Sequence, residues 1–193
     1  MLVDLVEGYR RSLQTFVALV REVRPEQYGA PTPCAGWTVR ELVNHLVYED
    51  RWTAPMVGGA TIAEVGDRFE GDLLGDDPVR AAADATAEAE AAVTEPGALG
   101  RTVHLSFGDT PCEEYVRQLF ADHLIHGWDL AAAVGADRRL DPELVTLCAD
   151  WFADREEMYR QSGAIGDRAE VPDGASAQDR LLAAFGRDPA WTP

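Results

Sequence analysis

Asp122-His123-Leu124-Ile125-His126-Gly127-Trp128-Asp129-Leu130 is the stretch that decides how this chain folds and where its chemistry lies. At about 100° per residue, Asp122, His126 and Asp129 fall on one helical stripe roughly 60° wide, together with the apolar Tyr115 and Leu119. Ionisable side chains are therefore aimed where a helix should bury its core face. A buried carboxylate beside a buried imidazole is costly unless something pairs with them, and a divalent metal is one such partner. The stripe is expected to be half of a metal site, with the other half on a different helix.

Working outward, Thr110-Pro111-Cys112-Glu113 has the form of a capping box with proline at the first helical position, and Gly135 is a helix stop. Together they predict one helix of about 24 residues carrying the whole stripe. Upstream, Val103, Leu105 and Phe107 alternate between glycines as a short extended arm, with His104 on its polar side as an exposed histidine without a special role. Asp77-Pro78 opens an alanine-rich helix to about Thr94, since alanine and glutamate favour helix over strand. From Pro55 to Asp77 the chain is rich in Gly and Asp around the anchors Ile62, Val65, Phe69 and Leu73, a long loop with a helical turn or two, of the kind that walls a site.

Thr38-Val39-Arg40-Glu41 is a second capping box, with Val39, Leu42, Val43, Leu46 and Val47 as the apolar arc behind it. His45 and Glu49 lie on one flank of that arc, so His45 points into the edge of a helix–helix seam. Leu2, Leu5, Val6, Tyr9, Leu13, Phe16, Val17, Val20 and Val23 mark the first helix, ending before Pro25. Asp141-Pro142 opens a further helix through Leu144, Leu147, Cys148, Trp151 and Phe152, and Ser176 caps a short last one to Phe185. Four principal helices suggest an all-α up-and-down four-helix bundle with extra short helices and a short extended segment, an architecture whose core readily builds metal sites.

With 193 residues and no composition break, the chain reads as a single domain over residues 1–193. The hydrophobic fraction of 46% with 26% charged residues is that of an ordinary globular protein. A formal net charge of −17 with no basic stripe disfavours nucleic acid, and the lack of a basic amphipathic helix disfavours membranes. Cys34, Cys112 and Cys148 are odd in number and lack a CxxC pair, which fits reduced thiols; with no signal-like opening, the cytoplasm is the expected compartment. The expected partners are a small-molecule substrate and, at most, a second copy of the chain in a homodimer.

His45 with two donors from the later helix makes a three-ligand set suited to Zn, Ni, Fe(II) or Mn. Asp122 and His126 are spaced i, i+4; His123 is close enough to the same face to compete with Asp122. Asp129 is either an acceptor for a ligand imidazole or a surface carboxylate.

Thr32-Pro33-Cys34-Ala35-Gly36-Trp37-Thr38-Val39-Arg40-Glu41-Leu42-Val43-Asn44-His45-Leu46 and Ala121-Asp122-His123-Leu124-Ile125-His126-Gly127-Trp128-Asp129-Leu130-Ala131 resemble the DinB-like superfamily. The branch is that of the N-terminal domain of mycothiol-dependent maleylpyruvate isomerase. The similarity extends to Val171-Pro172-Asp173 and Gln178-Asp179-Arg180-Leu181-Leu182. The resemblance implies a bundle holding a divalent metal, zinc first, on a histidine of the second helix and a carboxylate-x3-histidine pair of a later one: His45, Asp122 and His126. Asp122 stands where the isomerase branch usually has glutamate, and other members use histidines throughout. It further implies mycothiol or another low-molecular-weight thiol as co-substrate. Two functions follow: a metal-dependent enzyme of thiol S-transferase or mycothiol-dependent isomerase type, or a non-catalytic metal-binding module.

Overall fold

The structure, a computed structural model, describes residues 3–193; Leu2, placed above on the first helix, lies outside the described residues. The elements are α1 (Leu5–Glu22), α2 (Val39–Val57), α3 (Ile62–Val65), α4 (Pro78–Thr94), a hairpin of β1 (Thr102–Leu105) and β2 (Gly108–Pro111), α5 (Cys112–Val134), α6 (Pro142–Phe152), α7 (Glu156–Gln161) and α8 (Ala177–Ala184).

The helix starts are mostly written in local chemistry. At α2 the backbone N–H of Thr38 donates to Glu41 Oε2 at 2.7 Å, and Glu41 N–H donates back to Thr38 Oγ1 at 3.3 Å, so two otherwise orphaned donors are satisfied. Asp77, Asp141 and Ser176 cap α4, α6 and α8 in the same sense. The box expected at Thr110 does not form. Thr110 and Pro111 are strand residues paired with Val103 and Thr102, and the Thr110 hydroxyl donates to the Gly108 carbonyl instead. Proline needs no partner for a missing N–H, and Cys112 N–H donates to Arg101 O, so the hairpin itself does the capping. The expected extended arm is thus one strand of a two-residue hairpin. Helix α5 still closes at Gly135, whose φ of 76° is left-handed backbone that glycine adopts without strain.

The long helices pack as α2 on α4, α1 on α5, α1 on α4 and α2 on α5. The ring order is therefore α1, α4, α2, α5, and α2 and α5, which carry the candidate ligands, share a seam. Small residues Ala82, Ala85 and Ala89 of α4 are fully buried and let it lie close to its neighbours. On the far side α6 packs on α5 and α8 packs on α6, with the Phe152 and Phe185 rings stacked 3.9 Å apart. Gly186 follows with φ of 77°, and any Cβ there would meet the Gly166 backbone at 3.2 Å. That turn sends Arg187 back toward α5. Among the described residues no helix is long and apolar enough to cross a membrane.

Candidate metal centre

His45 on α2 and Asp122 and His126 on α5 converge, with one donor atom from each lying within 4.8 Å of the others. His45 Nε2 is 3.0 Å from Asp122 Oδ2, and His126 Nε2 is 3.4 Å from Asp122 Oδ1. Trp37, from the turn before α2, lies against both imidazoles, 4.8 Å from His45 and stacked 5.6 Å from His126 between ring centroids. His126 is nearly buried at 8% side-chain exposure, whereas His45 and Asp122 open to the surface at 27% and 32%. The group therefore has a covered back and an open front.

Asp129, left between two readings by the sequence, is fully buried behind His126. Its Oδ2 is 2.9 Å from His126 Nδ1 and accepts a second bond from Arg187 Nη2 at 2.8 Å. The Arg187 guanidinium and the imidazole keep the Asp129 carboxyl below the usual carboxylate range in spite of burial. An ionised Asp129 can only accept, so His126 Nδ1 carries a proton and donates it. That fixes a proton on Nδ1 and aims Nε2 at Asp122 and His45, with a lone pair there once the ring is neutral. Such an outer carboxylate is the usual device for fixing a metal-binding imidazole.

His123, the rival ligand, points the other way. Its Nδ1–H donates to the Leu119 carbonyl at 3.0 Å, its Nε2 lies 3.3 Å from Asp50, and its ring packs edge-on against Tyr9 and Phe16. Both nitrogens are committed inside the bundle, Nδ1 to its own helix and Nε2 to Asp50 of α2. The ion group pairs around the open site are coherent: although burial opposes its charge, the imidazoles of His126 and His45 hold the Asp122 carboxyl well below its ordinary range. Burial works against a charged His126, but Asp122 and Asp129 outweigh it and push its pKa up to about 9.

Arg40 and Asn44 of α2 are both occupied. Arg40 Nη2 donates to Asp72 Oδ2 at 2.6 Å and to Gly75 O at 3.0 Å, and Asn44 donates to Gly71 O and accepts from Leu73 N–H. They clamp the long loop onto α2, so that loop does wall the site. Trp37 and Arg187 had no signal in the sequence, because neither belongs to a periodic pattern. Glu49, one turn beyond His45, was visible on its flank; burial, and then the charge of Asp122, push its carboxyl up to about 7.

Since folding raises the Glu49 pKa, its contribution to stability is complete below the unfolded-state value and is lost as pH rises through about 7. Metal-free Glu49→Gln should thus exceed the wild type by about 1–2 kcal/mol at pH 8, after allowance for solvent in the open cleft, and match it near pH 4. Urea unfolding at the two pH values checks this; equal stability at pH 8 would contradict it.

Comparison with known proteins agrees with this architecture. The family model of the mycothiol maleylpyruvate isomerase N-terminal domain matches residues 9–131. The chain belongs to that family. Two uncharacterized proteins of Mycobacterium tuberculosis, from strains CDC 1551 / Oshkosh and ATCC 25618 / H37Rv, are each 32% identical over 190 residues, covering 95% of this chain and 98% of theirs. The crystal structure of a histidine-to-alanine mutant of the mycothiol-dependent maleylpyruvate isomerase superposes with a TM-score of 0.63 at 15% identity, over 86% of this chain and 75% of that one. At that identity the likeness concerns the fold.

Proposed function

We propose that this family member is a divalent-metal-dependent enzyme that brings a low-molecular-weight thiol, mycothiol by its family, to a small-molecule substrate, as an isomerase or a thiol S-transferase. The observation that carries the reading is the converging set of His45, Asp122 and His126, open on one side and backed by Asp129 and Arg187. The donor set fits the ion: two imidazoles and a carboxylate suit zinc and its borderline neighbours, and three protein donors leave room for an exogenous ligand. A bound ion would act as a Lewis acid, lowering the pKa of a coordinated thiol or water to supply a nucleophile at neutral pH.

The remaining work falls to the chain. Asp129 and Arg187 hold His126 in the ligand tautomer. Trp37 covers the two imidazoles and keeps water from that side. The clamps of Arg40 and Asn44 fix the 71–75 wall, so the cleft has a formed shape before a ligand arrives. The partial exposure of His45 and Asp122 favours a catalytic over a purely structural ion, since structural sites are closed on all sides.

The test is metal content of protein purified without added metal, followed by a thiol-consumption assay with N-acetylcysteine and candidate acceptors. About one divalent ion per chain is expected, with metal-dependent net thiol consumption for an S-transferase, or thiol- and metal-dependent conversion of the acceptor with the thiol regenerated for an isomerase. A chain that takes up no divalent ion would end the reading, and a tightly held ion whose chelation only unfolds the protein would reduce it to a structural module.

A further inference from the structure

Beyond Tyr48 the cleft continues along the α2–α5 seam into a second lobe. Tyr48, Glu49, Trp52 and Met56 of α2 and Tyr115 and Gln118 of α5 follow His45 and Asp122 by successive helical turns. Ile62 and the hairpin tip close the sides around a cavity of about 450 Å³, within the ~300–1,000 Å³ of small-molecule pockets. Its walls are chiefly aromatic and aliphatic. Large exposed apolar side chains normally stand alone on a surface; here Phe107, at 72% exposure, and Ile62, at 39%, both sit on the rim of this one cavity.

Its charge is as telling as its apolarity. No arginine lines the lobe, and the chain contains no lysine at all. Of the arginines around the cleft, Arg40 is engaged with Asp72 and Gly75, Arg187 with Asp129, and Arg155 with Glu114 and Trp151 O, while Arg68 lies over the Phe69 ring, outside the lining of the lobe. The ionisable acid in the wall is Glu49, with Asp122 beyond it. A carboxylate entering the lobe would leave water for walls that hold no cation and include an acid. A neutral apolar body would meet matching walls, with the Tyr48 and Ser106 hydroxyls among the polar groups that line the lobe.

We propose that this lobe is the acceptor subsite and that it takes a neutral small molecule with an aromatic or aliphatic body, not a dicarboxylate of the maleylpyruvate kind. As an acceptor subsite it rests on the thiol-enzyme reading above; as a binding site it does not.

The test is fluorescence titration of the full-length protein with N-phenylnaphthylamine, a neutral apolar probe, with maleate as the competing dicarboxylate. Saturable binding that excess maleate does not displace is expected. The double variant Ile62→Ser/Phe107→Ser should weaken probe binding about tenfold, the loss of roughly 60 Å² of apolar contact. Both positions are exposed, so the variant keeps its fold, checked by circular dichroism. Met158→Ser, at an exposed apolar position outside the lining of the lobe, should bind the probe as the wild type does. Absence of saturable binding, unchanged affinity in the double variant, or displacement by equimolar maleate would each overturn the proposal. A protein that binds the probe as expected but takes up no metal loses the enzyme reading and keeps this site; one that takes up metal but is displaced by maleate loses this site and keeps the enzyme.

Discussion

His126→Ala should lower divalent-metal affinity by more than about 100-fold, bringing the metal content of purified protein from about one ion per chain to background. The lower bound comes from outer-sphere partners alone, whose loss typically weakens metal sites about 10–100-fold; His126 supplies a donor itself. His45→Ala should match it, Asp129→Asn should fall within that smaller range, and His123→Gln should leave the metal in place, because its ring is bonded to Leu119 O and Asp50 on the other side of α5. Uptake is also proton-linked. With its pKa raised to about 9 by Asp122 and Asp129, metal-free His126 is protonated at pH 7.5 and must release that proton to offer Nε2. Affinity should therefore rise with pH and level off above about 9, with about one proton released per ion at pH 7.5, measured by calorimetry in buffers of different ionisation enthalpy. Full occupancy in both His45→Ala and His126→Ala, by elemental analysis, would remove the site assignment.

Arg187→Met should destabilise the protein by about 3–5 kcal/mol, the range for removing one partner of a buried ion pair. Asp129 is fully buried and Arg187 nearly so at 12% side-chain exposure, and the guanidinium makes three contacts of 2.8–3.3 Å to the carboxylate. Without it a buried charge is left with only the His126 N–H. The sign with pH follows from the depressed pKa of Asp129: its stabilising contribution is present above the unfolded-state value and is lost as pH falls through the folded one. The gap between wild type and variant should thus be widest near neutrality and shrink below about pH 4. Adding Asp129→Asn should recover part of the loss, since no buried charge then remains. Denaturant unfolding at pH 7 and about pH 3, below the ordinary Asp value, decides it; a loss under about 1 kcal/mol at pH 7 would show the pair to be solvent-screened.

Much of the site was legible before any coordinates. Residues His45, Asp122 and His126 stood out because helical periodicity made polar groups on a core-facing stripe conspicuous, and the Thr38 box fixed where α2 begins. The Thr110 box misled for a plain reason: the same threonine and proline suit a strand end, and pairing with Val103 and Thr102 took precedence over local capping. The choice between Asp122 and His123 was within the error of a helical wheel. Packing turned His123 away, because α1 supplied Tyr9 and Phe16 and α2 supplied the buried Asp50 to engage it.

By itself the sequence determined the long helices, most of their caps and the inward stripe, all properties of residues within a few turns of one another. Only the tertiary structure decided what stands behind and beside the site. Arg187 reaches Asp129 across 58 positions, Trp37 leaves its turn to cover both imidazoles, and the hairpin tip closes the apolar lobe. Such contacts depend on the ring order of the bundle and on the turn at Gly186, and no local periodicity records which distant side chain will neutralise a buried charge.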